Sequence, residues 1–195
     1  MGLLQEEDRV SAAALRFQEM IAGVGESLAV SLDGSQRIKG IVAGLQDFTK
    51  YQREGTSAQS LATEVERACQ MARYQFDKVE FVRRIPPELI LEAHWGEFNQ
   101  AILNLIINAA QAGASAIAIT AEQQQQRLVV SVADNGEGMT EETLHRIFEP
   151  FFTTKDVGNS GLGLSITKNI MDKHGASIEV ESRLGVGTTV RLIFA

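Results

Sequence analysis

The chain has 195 residues, 44% of them hydrophobic, and a formal net charge of −7. That length holds one ordinary domain, or a small domain with a helical appendage, around a real core. The acidic balance excludes a general nucleic-acid or membrane-surface binder, either of which needs a basic face, and the single cysteine, Cys69, excludes a disulfide framework or a multi-cysteine metal site.

Val10, Phe17, Val24, Ile38 and Leu45 share one heptad position, and Ala14, Ile21, Leu28 and Val42 the other, with Ser31 and Ser35 interrupting. This spacing predicts helix packing on other helices, and hence a coiled-coil-like dimerisation segment over residues 1–53 that self-associates. Gly23, Gly25 and Gly34 weaken the pattern and allow a turn at Gly23–Gly25 or at Asp33-Gly34. Arg53-Glu54-Gly55-Thr56-Ser57 reads as a linker, with Ser57 the candidate N-cap of the next helix.

Residues 57–195 then alternate between helix and strand. A helix is predicted over Leu61–Tyr74, with Cys69 a small apolar residue inside it, and a strand over Lys78–Ile85 ended by Pro86-Pro87. The next helix runs from Trp95 to Gln111 and is closed by Gly113. Strands at Ala116–Ala121 and Leu128–Ala133 are joined by a polar turn, Gln123–Gln126. A short helix at Glu141–Ile147, a loop to Ser160, a helix at Leu164–Lys173 and a hairpin of Ser177–Ser182 with Thr188–Phe194 complete the chain. Helices gathered on one face of a mixed sheet make an α+β fold, a two-layer α/β sandwich. No apolar run reaches the roughly 20 residues that span a bilayer, and no signal-peptide core opens the chain. A cytoplasmic location without membrane contact is expected, while a longer parent could still be membrane-anchored.

The helix around Asn104 is apolar nearly all round, yet Gln100, Asn104, Asn108 and Gln111 fall in one stripe about 80° wide. Buried amides without partners cost about 1–3 kcal/mol each, so the stripe must face water, a ligand or a metal, unless its amides bond neighbouring backbone. Asp134 ends an apolar strand and can accept from an exocyclic amine. Gly136 and Gly138 allow backbone to approach a flat base closely. Gly161-Leu162-Gly163-Leu164 opens a helix, whose free N–H groups and dipole favour phosphate. Lys155 can meet a terminal phosphate. Taken singly, each motif also reads as a turn, a helix cap or a solvated lysine.

Their order is more specific. Asn104-Leu105-Ile106-Ile107-Asn108, Asp134-Asn135-Gly136-Glu137-Gly138, Phe148-Glu149-Pro150-Phe151-Phe152-Thr153-Thr154-Lys155, Gly161-Leu162-Gly163-Leu164 and Gly187-Thr188 resemble the N, G1, F, G2 and G3 boxes of sensor histidine kinases. Those kinases share a superfamily with DNA gyrase, the mismatch-repair ATPases and anti-sigma-factor kinases. The resemblance implies a Bergerat-type ATP-binding fold with ATP and Mg²⁺ as cofactors. It makes Asn108 the Mg²⁺ ligand and sets Asn104 beside the phosphates or the transferring group. Asp134 would bind the adenine amine in a cleft shaped by Gly136 and Gly138, with Thr188 near the base edge. Gly161 and Gly163 would hinge a lid, Thr153 to Ser160, whose backbone wraps the phosphates with Leu162 and Leu164. Lys155 would neutralise phosphate charge, catalytically with Asn104.

The family phosphorylates a histidine in a His-Glu-x-x-Asn-Pro-like setting on a dimer helix, and His94, His145 and His174 all lack it. Arg37 to Phe48 resembles the second hairpin helix, so the chain resembles a kinase that begins after its phosphoacceptor. Three functions follow from the resemblance. The first is the catalytic part of a sensor kinase, whose partners are an acceptor helix, a response-regulator receiver domain and a second copy of the chain. The others are a non-catalytic nucleotide-binding module and an ATP hydrolase, the last disfavoured because hydrolytic members carry a glutamate where Asn104 stands.

Overall fold

The computed structural model describes residues 20, 23–25, 55–155 and 160–195. Apart from Met20 and Gly23–Gly25, the predicted dimerisation segment and its linker as far as Glu54 lie outside the described residues, as do lid residues 156–159. Gly23, Val24 and Gly25, the first candidate turn, are helical. Contacts divide the chain into two compact units, Met1–Ala43 with Lys155–Asn159, and Gly44–Thr154 with Ser160–Ala195. All the elements named below belong to the second.

That unit carries a five-stranded mixed sheet of order β2-β4-β5-β7-β6, formed by β2 (Glu80–Arg84), β4 (Ala116–Gln124), β5 (Arg127–Asp134), β6 (Ser177–Arg183) and β7 (Gly187–Phe194). β2 runs parallel to β4, and every other pairing is antiparallel. The parallel pair needs a crossover, and its main element is the helix α2 (Trp95–Gln111). Helices α1 (Leu61–Arg73), α3 (Glu141–Arg146) and α4 (Gly163–Lys173) complete the set.

Burial follows sequence period. In α1, Leu61, Val65, Ala68, Cys69 and Ala72 are buried at helical spacing. In β4, Ile117, Ile119 and Ala121 are buried while their neighbours are not. These faces meet Phe98, Ile102, Ile106 and Met171 from α2 and α4 in one core. Cys69 is fully buried there, and burial pushes its thiol pKa above the ordinary value. Glu64 is the exception on the α1 face, a carboxylate only 2% exposed. It accepts from Arg67 Nη1 at 2.6 Å and from Asn99 Nδ2 on α2 at 2.9 Å, so its charge is paired and ties the two helices together.

Three readings of the sequence are corrected. Ser57 is not a helix cap: it opens β1 (Ser57–Ser60), which pairs antiparallel with β3 (Ile90–Ala93), and Ser60 is the N-cap of α1. Trp95 Nε1 donates to Ser57 O at 2.7 Å and anchors this two-stranded sheet. The glutamine turn is tighter than expected. Gln123 and Gln124 continue β4 opposite Leu128 and Arg127, leaving Gln125-Gln126 as the turn, with Gln125 at φ 56°. Lastly, α3 stops at Arg146, and α4 begins one residue early, at Gly163. Among the described residues, no helix is long and apolar enough to cross a membrane.

Candidate functional site

Asp134 is the last residue of β5, directly opposite Thr188 on β7. Its Oδ1 accepts from Gly136 N at 2.8 Å and from Thr188 N at 3.3 Å. Two backbone donors on one oxygen fix the carboxylate at the sheet rim, and a second oxygen remains as acceptor capacity. Thr188 stands beside it in register.

The loop after Asp134 is clamped on three sides. Asn135 Oδ1 accepts from Ser115 N and Ala116 N, both at 3.0 Å, and its Nδ2 donates to Ser115 Oγ at 2.9 Å. Glu137 N donates to Ala112 O at 2.9 Å, at the C-terminus of α2, and Gly185 N in the β6–β7 turn donates to Glu137 O at 2.6 Å. The glycines serve this closeness. A Cβ on Gly136 would lie 2.7 Å from Ala112 O, and one on Gly138, at φ 67°, would collide with Arg183 O. The sequence reading assigned both glycines to a ligand. The structure gives them a further cause within the protein, backbone passing against backbone.

Gly187 follows the same rule, since at φ 134° its Cβ would collide with Asp134 O. Gly187→Ala should therefore cost at least about 2 kcal/mol of stability, combining backbone strain with a clash. Gly185→Ala, at φ 74° with nothing within 4 Å, should cost only the left-handed penalty of about 1 kcal/mol. Thermal midpoints of the two variants check this, and equal shifts would refute the close-approach explanation.

Asn104 and Asn108 lie one turn apart on α2 and both face the start of α4. A Cβ on Gly163 would meet Asn108 Nδ2 at 3.5 Å, Asn108 Oδ1 at 3.7 Å and Asn104 Cβ at 3.9 Å. Asn104 Nδ2 donates to Gly163 O at 3.1 Å and approaches Thr167 Oγ1 at 3.5 Å. Thr167 Oγ1 itself donates to Gly163 O at 2.9 Å. Asn104 thus does what the plain alternative held, bonding backbone, and in doing so it pins the N-terminus of α4 beside Asn108. Gln111, the outer member of the stripe, is exposed.

Gly161 has φ 65°, and a Cβ there would lie 2.5 Å from Phe151 C. Phe151 N donates to Gly161 O at 3.1 Å, so the two ends of the lid are tied together. Phe151 itself has φ 68° within a turn closed by Phe152 N to Glu149 O at 3.2 Å. Proline precedes it, and the turn position it fills is one glycine normally takes. Leu162 caps α4 and accepts from Ser165 Oγ at 2.9 Å; Leu164 is half-buried against the core. Lys155 belongs to the other compact unit.

Sequence reasoning missed Asn135, Thr167 and Ser182. Asn135 carries the signal of a turn asparagine, whereas Thr167 and Ser182 look like ordinary polar residues of a helix and a strand. Glu181 on β6 is held below its ordinary range first by the hydrogen bond from Arg191 on β7 and then by the charge of that guanidinium.

Residues 96–195 match the family model described as histidine kinase-, DNA gyrase B-, and HSP90-like ATPase. The chain is 31% identical over 193 residues to the sensor histidine kinase ZraS of Escherichia coli (strain K12), covering 94% of this chain and 41% of that protein. It is 31% identical over 179 residues to the sensor protein SrrB of Staphylococcus aureus (strain N315), covering 85% and 31%. The chain thus spans less than half the length of these curated relatives. Among solved structures, the nucleotide-free catalytic domain of histidine kinase ThkA superposes with a TM-score of 0.65 at 29% identity, covering 72% of this chain and 95% of that one.

Proposed function

Because this chain belongs to the family of histidine kinase-, DNA gyrase B- and HSP90-like ATPases, and carries the ATP-binding catalytic part of a sensor histidine kinase, we propose that it binds Mg²⁺-ATP between Asp134 and the start of α4. The γ-phosphoryl group would pass to a histidine outside the chain's own three. The observation that carries this reading is Asp134, fixed by two backbone N–H groups at the sheet rim and ready to accept from an exocyclic amine.

The remaining roles extend this reading. Thr188 borders the base. Gly161, Leu162, Gly163 and Leu164 present the N-terminus of α4 to the phosphates. Asn104 holds that N-terminus in place beside the transferring group, and Lys155 supplies charge from the lid. Among the described residues, no group of three or more His, Cys, Asp or Glu side chains forms a cage for a metal. Asn108 offers one hard amide oxygen, which suits Mg²⁺, an ion that keeps several waters and binds mainly through phosphate oxygens. When bound, the ion neutralises charge on the phosphates. The partners of this reading are an acceptor helix, a receiver domain, and a second copy of the chain engaged through residues 1–53. An amide at Asn104 cannot act as the general base of a hydrolase.

Calorimetry tests the reading. ATP should bind, and GTP at least about 100-fold more weakly, because guanine presents an acceptor where Asp134 needs a donor. Equal affinities would overturn it. Asn108→Ala should lower the affinity measured with Mg²⁺ to the value measured in a chelator, without changing the thermal midpoint by more than about 1 kcal/mol equivalent. A surviving Mg²⁺ dependence would place the ion on another residue.

A further inference from the structure

Ser182, Thr188 and Asp134 stand side by side on three neighbouring strands, since Ser182 pairs with Thr188 and Thr188 with Asp134. Directly opposed residues of adjacent strands share a face, so the three side chains form a row ending at the carboxylate. Ser182 Oγ makes three contacts in that row. It accepts from Met139 N at 2.8 Å, lies 3.1 Å from Gly187 O, and lies 2.8 Å from Thr188 Oγ1. One serine proton cannot satisfy both of the latter, so two arrangements exist. If Ser182 donates to Gly187 O, Thr188 must give its own proton to Ser182 and faces the cleft only as an acceptor. If Ser182 donates to Thr188, the Thr188 proton is released towards the cleft.

We propose that Ser182 is a positioning residue of the base pocket, setting the Thr188 hydroxyl as a donor to the purine and holding the loop at Met139. This rests on the reading that Asp134 receives the adenine amine. Beside that amine the adenine ring presents a nitrogen acceptor, so the group next to Asp134 must donate. With Ser182 Oγ 2.8 Å away, Thr188 does so when Ser182 supplies the hydrogen bond that Thr188 accepts, and without Ser182 the hydroxyl loses the partner that fixes its direction. Guanine reverses both groups, with a 6-oxo acceptor in place of the amine and a ring N–H donor beside it. The hydroxyl pair can reverse with it, but the ionised Asp134 cannot. Adenine selectivity is then anchored at Asp134 and tuned through Ser182.

The test measures binding of ADP and of 1-deaza-ADP, which lacks the ring acceptor, to the 195-residue chain. Ser182→Ala should weaken ADP about tenfold and 1-deaza-ADP by less than about threefold. Ser182→Thr, which keeps the hydroxyl, should stay within about threefold of the parent for ADP. Should Ser182→Ala not yield a folded chain, Ser182→Cys, similar in volume but a weak donor, carries the same comparison. Equal weakening of the two nucleotides would reduce Ser182 to a structural tie, and unchanged ADP affinity would remove it from the pocket; either result overturns the proposal. If the unaltered chain binds ADP no better than Asp134→Ala does, the adenine reading itself fails, and the role of Ser182 falls with it.

Discussion

Asp134→Ala should weaken ATP and ADP binding by about 100-fold to 1000-fold. Two losses combine. The carboxylate's charged hydrogen bond to the exocyclic amine contributes about 1.5–3 kcal/mol. The same side chain also orders the pocket, since Oδ1 holds both Gly136 N and Thr188 N. Without it those two donors lose their partner and the loop loses a clamp, adding about 1 kcal/mol or more. Asp134→Asn separates the two effects. Its amide oxygen can keep the backbone donors, but its NH₂ opposes the adenine amine and suits a 6-oxo purine. ATP affinity should therefore still fall by more than tenfold, while the ratio of ATP to GTP affinity moves towards one. Calorimetry of both variants with both nucleotides decides the matter. Binding of ATP by Asp134→Ala within threefold of the parent would remove this residue from the base pocket.

What was legible in the sequence was what depends on local period. The bounds of α2 agree with expectation, and those of α1 agree to within one residue, because a buried helical face repeats every three or four residues along the chain. β1 and β3 escaped because each is four residues long and their pairs, from Ser60 with Ile90 to Ser57 with Ala93, are far apart in the chain. Nothing in Ser57-Ala58-Gln59-Ser60 alternates strongly enough to announce a strand, and a serine before a helix resembles a cap. The candidate site was visible as an ordered set of motifs, but its internal wiring was not. That Asn104 bonds Gly163, that Asn135 staples the loop to Ala116 at the start of β4, and that Ser182 touches Thr188 all depend on strand register and helix crossing. The glycines show the same limit. Their number in the Asp134–Gly138 loop is visible in sequence, whereas the carbonyls of Ala112 and Arg183 against which they pack are not.

Phosphoryl transfer gives an all-or-none expectation: incubated alone with labelled ATP, the chain should acquire no stable phosphohistidine, despite binding nucleotide. Transfer depends on an acceptor held in line with the γ-phosphate, and little of the barrier is lowered by anything other than positioning and charge. None of the three histidines fits that part. His174 has both ring nitrogens engaged, Nδ1 with Ile170 O at 2.8 Å and Nε2 accepting from His94 N at 3.2 Å. The His94 ring packs edge-on to it at 5.7 Å, at the N-cap of α2. His145 is exposed on α3, without the dimer-helix setting that the family uses. Adding a separate fragment that carries an acceptor histidine on a dimer helix should restore acid-labile label, on the fragment only. Asn104→Ala should lower that transfer at saturating ATP, since it frees the start of α4, where the phosphates would be held. Acid-labile label on the isolated chain would show that the acceptor lies within it, and its loss in His145→Ala would identify the exposed ring as the site.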